Sequence, residues 1–341
     1  MNKSILKENL QDARQNSSGS FRSWGKLLLT GEYLIMKGAE GLALPVKPGQ
    51  ELSWRSTGQG SFLEWVTRVK GEEWFNAVFR GDAYNIVSSS DRERAEFLRK
   101  ILVSAAEISA NPPVYGKAVS SVDFDMEWGL GSSSSLISNV AFMFGVNPFI
   151  LHFKVSKGSG YDVACARSSS PVLYRLNYKT DIYKSAYGSP HNPECFPIPV
   201  YREVDFNPHF KNKLFFAWSG RKQNSATSVE RFNDKSTIKD GDILKISGIS
   251  REILNTSDTG SFIRLLREHD EIISRILGEE PLSLSRFRGF PGYVKALGAW
   301  GGDFILIVWE GDVDELMQLL KQKGIEVVFP YDKLIRSSNG K

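Results

Sequence analysis

The sequence predicts an α+β protein in two halves, on three observations. Apolar runs of strand length and apolar stripes of helical spacing alternate along the chain. A turn-rich interval from Tyr178 to Val200, with Pro190, Pro193, Pro197 and Pro199, separates two such mixed sets. The length of 341 residues also suits two domains of about 150 residues each. Residues 21–204 and 205–341 are the expected halves. Residues 1–20 have only weak helical spacing (Ile5, Leu6, Leu10, Ala13) before a Ser/Gly patch, and read as a tail or accessory helix.

The elements follow in order. WGKLLLTGEYLIMKG, from Trp24, is two apolar runs split by Thr30 and Gly31, and reads as adjacent strands. SFLEWVTRVKG and EEWFNAVF alternate on either side of a Lys-Gly turn, as a hairpin does. Phe97, Leu98, Ile101, Leu102, Ala105 and Ile108 form a helical stripe closed by Asn111-Pro-Pro. AVSSVDFDM is a strand, and a glycine turn then opens a helix through SSSSLISNVAFMF. PVLYRLNY and KLFFAWSG are strands; helices are expected near 224–233, 242–256 and 260–278. GAWGGDFILIVWEG is a glycine turn into a strand, DVDELMQLLKQKG a capped helix, and IEVVFPY a last strand.

Composition narrows the function. With 41% hydrophobic and 24% charged residues the chain is ordinarily globular. A net charge of +4 and no RNA-binding signature argue against a nucleic-acid partner. No apolar run reaches the roughly 18–20 residues that span a bilayer, and the N-terminus lacks a secretory apolar block. Cys165 and Cys195 make neither a disulfide framework nor a CxxC pair, so a cytoplasmic location is expected. His152, His191, His209 and His269 lack metal-site spacing, and neither a GxSxG elbow nor a dinucleotide fingerprint is present.

Four segments could carry chemistry. Gly129-Leu130-Gly131-Ser132-Ser133-Ser134-Ser135 places two glycines before a helix, whose unpaired N–H groups and positive dipole end suit a phosphate; ordinary helix capping uses the same residues. Gly158-Ser-Gly-Tyr161-Asp162 runs into a small-residue helix, where Asp162 is either an ionised general base or a cap. Lys26, at the entry to the first strand pair, could meet a phosphate, pair with a carboxylate such as Asp162, or sit in solvent. Leu297 to Asp303 is a glycine turn that lines a binding site or merely closes a loop.

Together, and in this order, the segments resemble the motifs of the GHMP small-molecule kinases. WGKLLLTGEYLIMKG resembles PGKxxLxGEHxxxxG, EWGLGSSSSL resembles PxxxGLGSSAA, and KALGAWGGDF resembles KxxGAGGGG. KGSGYDVACA is similar to the GKxGSGFDVAAA form of phosphomevalonate kinases. The resemblance spans landmarks from residue 24 to 304. It implies a two-lobed GHMP kinase fold, with an N-terminal α+β lobe and a C-terminal ferredoxin-like lobe. It implies ATP and Mg²⁺ as cofactors and Lys26 with Asp162 as the catalytic pair. Gly129, Leu130, Gly131, Ser132, Ser133, Ser134 and Ser135 would hold the nucleotide, with Ser133 on magnesium. Glu32, Tyr161, Ser219, Arg221, Lys222, Ser225, Thr227, Gly298, Gly301 and Gly302 would line the substrate side.

Four departures are visible. Trp24 stands where the first motif has proline, Tyr33 replaces its histidine, and Trp300 replaces a glycine of the third motif. No Asp or Glu lies between Ser135 and Asp162, where mevalonate kinases carry a magnesium-binding glutamate. The implied reaction is transfer of the ATP γ-phosphoryl group to phosphomevalonate or mevalonate, in isoprenoid-precursor synthesis. The alternatives are a sugar or amino-alcohol kinase, a decarboxylating lyase of the same fold, and a non-catalytic metabolite-binding relative. The expected partner is a small-molecule acceptor, with neither nucleic acid nor membrane, for a monomer or homodimer.

Overall fold

The computed structural model describes residues 18–57, 60–111, 113–178, 197–221, 238–298 and 302–337. The strands in chain order are β1 (Ser18–Leu28), β2 (Gly41–Ser56), β3 (Phe62–Val69), β4 (Glu72–Arg80), β5 (Asn85–Ser89), β6 (Gly116–Val122), β7 (Val172–Asn177), β8 (Ile198–Glu203), β9 (Leu214–Trp218), β10 (Tyr293–Leu297), β11 (Phe304–Val308) and β12 (Val328–Pro330). The helices are α1 (Arg92–Ile108), α2 (Ser132–Phe144), α3 (Pro148–Val155), α4 (Tyr161–Arg167), α5 (Asp240–Glu252), α6 (Thr259–Leu277), α7 (Val313–Gln322) and α8 (Tyr331–Leu334). Among the described residues, no helix is long and apolar enough to cross a membrane.

Two compact units result, both discontinuous in sequence. One contains Met1–Gly25, Pro48–Met126 and Gly131–Arg167; the other contains Lys26–Lys47, Glu127–Leu130 and Ser168–Lys341. The lobes 21–204 and 205–341 remain a proposal about folding units.

In the first unit the strand order is β5-β4-β3-β6-β2. The β3–β4 hairpin turns at Lys70 (φ 51°) and Gly71 (φ 93°), both in the left-handed region that such tight turns require. β3 and β6 are parallel, and a parallel pair needs a crossover, here made by β4, β5 and α1. Helix α1 starts where the Asp91 side chain accepts the Arg94 N–H. It buries Leu98, Ile101, Leu102 and Ala105 against Trp65, Phe79, Val140 and Phe144. Each large apolar side chain so buried contributes about 1.5–3 kcal/mol. Phe97, part of the expected stripe, is exposed.

In the second unit, β9 is followed by α5 and α6, then β10, β11, α7 and β12. The sheet order β10-β11-β9-β12 is wholly antiparallel. That β-α-β-β-α-β arrangement, with two helices in the first crossover, is ferredoxin-like, as expected. Asp258 caps α6 through the Ser261 N–H, and Gly278 ends it at φ 70°. Ile305, Ile307, Phe215 and Leu316 form the core beneath α7.

Several expectations need correcting. The run after Gly31 is not a strand but a 3-10 turn over Leu34–Lys37, because Tyr33 (φ 60°) and Gly38 (φ 91°) reverse the chain at both ends. Ser18–Ser20, assigned to the tail, already belong to β1. The helix expected near 242–256 begins at Asp240 and finishes as a 3-10 turn over Ile253–Asn255. The helix expected near 224–233 lies outside the described residues.

Candidate active site

The second motif opens α2 in the first unit. Gly131 is its cap at φ 92°, and among the described residues no side chain caps the N–H groups of the first turn. The first helical bond is Ser135 N–H to the Gly131 carbonyl (3.0 Å), so the N–H groups of Ser132, Ser133 and Ser134 precede the ladder. The four serines divide into two pairs. Ser134 and Ser135 are buried: Ser134 Oγ donates to the Gly131 carbonyl (2.8 Å) and Ser135 Oγ to Gln50 Oε1 (2.6 Å). Gln50 Nε2 in turn donates to Ser120 Oγ (2.7 Å), and Asn139 Nδ2 donates to the Gln50 carbonyl (3.0 Å). Ser132 is half-buried and Ser133 exposed, and neither hydroxyl has a hydrogen-bond partner among the described residues. The turn thus offers N–H and O–H donors outward while its inner serines hold it to β2 and β6. This is the donor chemistry a polyphosphate needs.

Asp162 sits in the same unit, on α4, which packs against α2. It is half-buried, and its Oδ1 accepts the Val163 N–H (3.0 Å). Gly160 enters the helix at φ 82°. The preceding loop is pinned by His152 on α3, whose Nε2 lies 3.2 Å from the Gly158 carbonyl, and by Ser156 Oγ, which accepts the Gly158 N–H (3.1 Å). Tyr161 is half-buried beside Asp162. Sequence spacing did not single out Gln50 or His152, because each acts through a fold contact rather than a motif.

The remaining described candidates belong to the second unit. Lys26, half-buried near the end of β1, donates from Nζ to the Gly129 carbonyl (2.7 Å), and its N–H donates to the Leu130 carbonyl (2.9 Å). Gly129 stands at φ 67°, and a Cβ there would lie 2.1 Å from Asp303 Oδ2, so only glycine fits. Leu130 is fully buried, and Trp128 packs edge-on against Phe304 and Phe329. Ser219, expected to face the acceptor, is 1% exposed; its Oγ donates to the Gly302 carbonyl (2.6 Å) and its N–H to the Asp303 carbonyl (2.8 Å). It ties the end of β9 to the third-motif turn.

Arg221 is exposed. Arg286, which the sequence did not flag, donates to the carbonyls of Ser219 (2.9 Å) and Lys323 (3.0 Å). Burial and the nearby Arg221 guanidinium lower its pKa. Gly298 (φ 77°) and Gly302 (φ 53°) both take the left-handed conformation their turn requires. Lys222, Ser225, Thr227, Trp300 and Gly301 lie outside the described residues.

Glu32, expected on the substrate side, is 2% exposed, and its Oε1 accepts from Lys295 Nζ at 2.6 Å. Lys295 is itself 1% exposed and lies 3.0 Å from Asp270 Oδ1. The carboxylate is therefore committed to a buried ionic cluster.

Magnesium in nucleotide sites is held chiefly by phosphate oxygens and water, with one or two protein ligands. The described residues contain no group of three or more His, Cys, Asp or Glu able to hold a metal. The outward hydroxyl of Ser133 fits the role of a single ligand to a phosphate-borne ion.

No protein-family model and no curated protein matches this sequence. Solved structures do match it. The Lin0012 protein of Listeria innocua aligns with TM-score 0.66 at 16% identity, over 92% of this chain and 97% of the other. Streptococcus pneumoniae phosphomevalonate kinase, in complex with phosphomevalonate and AMPPNP, gives 0.64 at 14% identity over 91% and 98%. Methanococcus jannaschii mevalonate kinase gives 0.61 at 14% over 95% and 100%. This chain has the GHMP kinase fold. The alignments run nearly end to end in both partners.

Proposed function

We propose that this chain is an ATP-dependent small-molecule kinase that transfers the γ-phosphoryl group to phosphomevalonate or mevalonate. The observation that carries the proposal is the Gly131-capped start of α2, a polyphosphate-type donor array in a chain of GHMP kinase fold. Gly129 to Ser135 would hold the nucleotide phosphates, Ser133 would contact magnesium, and magnesium would neutralise charge on the transferred group.

In the transfer, an acceptor oxygen attacks the γ-phosphorus, the bond to the β-bridging oxygen breaks, and ADP leaves. Asp162 would take the proton of a hydroxyl acceptor, or orient a phosphate acceptor whose oxygen is already ionised near neutral pH. Lys26 would steady the charge developing on the attacking and transferred oxygens. Phosphomevalonate is the favoured acceptor: GSGYDVA resembles the phosphomevalonate kinase form, and Arg221 with Lys222 offers cationic partners to a phosphate.

Titration calorimetry with Mg-ATP and with each acceptor tests the reading. Binding of Mg-ATP that weakens in Ser133→Ala supports it, and no binding of any nucleotide overturns it.

A further inference from the structure

The proposed transfer makes no use of a buried polar cluster in the second unit. It consists of Glu32, His269, Asp270, Tyr293 and Lys295, each at most 4% exposed. Lys295 Nζ reaches both Glu32 Oε1 (2.6 Å) and Asp270 Oδ1 (3.0 Å), and the Tyr293 hydroxyl donates to Asp270 Oδ2 (2.8 Å). His269 Nδ1 lies 3.5 Å from Asp270 Oδ1. Arg267 stands farther out, over the Tyr293 ring at 5.7 Å.

His269 Nε2 faces two neighbours with opposite demands. The Gly31 N–H, at 3.0 Å, can only donate to it. Glu32 Oε2, at 2.8 Å, is a carboxylate oxygen that can only accept while ionised. One nitrogen cannot serve both. A neutral ring with its proton on Nδ1 accepts from Gly31. An imidazolium donates to Glu32 and leaves the Gly31 N–H without that acceptor.

Charge favours the second state. With Glu32 and Asp270 ionised and Lys295 charged, a neutral His269 leaves the buried cluster at −1, and an imidazolium brings it to zero. Burial opposes the charge and Lys295 repels it, but the Glu32 carboxylate and Asp270 outweigh both, and the His269 pKa lies above its ordinary value.

The contested groups belong to the turn that follows Lys26 on the chain. That turn has no slack: a Cβ on Gly31 would lie 2.7 Å from the Gly41 Cα. Thr30 is held by the Ser250 hydroxyl of α5 at 2.7 Å.

We propose that His269 is a positioning residue for the kinase reaction, its Nε2 exchanging the Gly31 N–H for the Glu32 carboxylate as it takes up a proton and so setting the turn next to Lys26. Its catalytic consequence rests on the kinase reading; the exchange itself does not.

Two readouts on the full chain separate these. In ¹⁵N–¹H spectra across pH 5.5–9, the Gly31 amide should titrate with the same midpoint as the His269 ring, above about 6.5. In His269→Gln that amide should become flat, and kcat/KM should lose the fall, about threefold or more, that the wild type shows as His269 deprotonates. Should His269→Gln fail to fold, Asp270→Asn should lower the shared midpoint. A Gly31 amide indifferent to pH in the wild type, or a midpoint unmoved in Asp270→Asn, overturns the exchange. A pH–rate profile unchanged in folded His269→Gln overturns the positioning role. Co-titration in a protein that phosphorylates no acceptor upholds the exchange and sinks the kinase reading.

Discussion

Replacing Lys295 by Met removes a charge from the buried cluster while keeping most of the side-chain volume. Glu32 and Asp270 then lose the ammonium 2.6 and 3.0 Å away, in a place where water does not reach them. Removing one partner of a buried pair costs about 3–5 kcal/mol, because the desolvated charge left behind is uncompensated. At about 2–4 °C of Tm per kcal/mol for a unit of this size, the loss is about 6–20 °C. Urea unfolding followed by tryptophan fluorescence measures it directly. Asp270 adds a signature: burial pushes its pKa up, and Lys295 with His269 holds it below the usual value. In the variant its pKa should rise, so the loss of stability at pH 4 should be smaller than at pH 7. The double variant Lys295→Met with Glu32→Gln should be about 0.5–3 kcal/mol better than the sum of the singles, since one stranded carboxylate is gone. A loss below about 1 kcal/mol, or strict additivity, would refute the reading of these side chains as one ionic unit.

Three further outcomes are expected. Asp162→Asn should lower kcat with a hydroxyl acceptor about 10²-fold while leaving the nucleotide Kd unchanged, checked by initial rates and calorimetry; unchanged turnover would make Asp162 only a helix-start residue. Ser135→Ala should cost about 1–3 kcal/mol by stranding Gln50 Oε1, whereas Ser133→Ala should stay within about 0.5 kcal/mol in the same urea experiment. Stability should also depend on His269. A raised folded pKa contributes stability that is fully present below about pH 6.5 and lost as pH rises through the folded value, so ΔG should fall above that pH in wild type and fall less in His269→Gln.

Much of the architecture was legible because it rests on local signals. The Lys70-Gly71 turn, the Asp312 cap and the stripe of α1 are short-range patterns, and they form where the spacing predicts, with Phe97 alone of that stripe exposed. Leu34–Lys37 misled because a run as short as Leu34-Ile35-Met36 suits a strand or a 3-10 turn equally, and Tyr33 with a left-handed backbone decides it. Within the candidate site, a run of four serines is uniform in sequence; only the register of α2 turns Ser134 and Ser135 inward and leaves Ser133 exposed. Glu32 was placed by motif alone, while its buried partner Lys295 is 263 positions away and His269 comes from a separate amphipathic helix. No spacing rule connects residues that meet only through tertiary packing.

The kinase claim is tested most directly by ADP release from the purified chain with Mg-ATP, in the presence of phosphomevalonate, of mevalonate, and of no acceptor. The account predicts acceptor-dependent ADP formation, greatest with phosphomevalonate, and a ³¹P spectrum showing a new diphosphate on the product. ADP formation indifferent to either acceptor, with Mg-ATP bound, would contradict it.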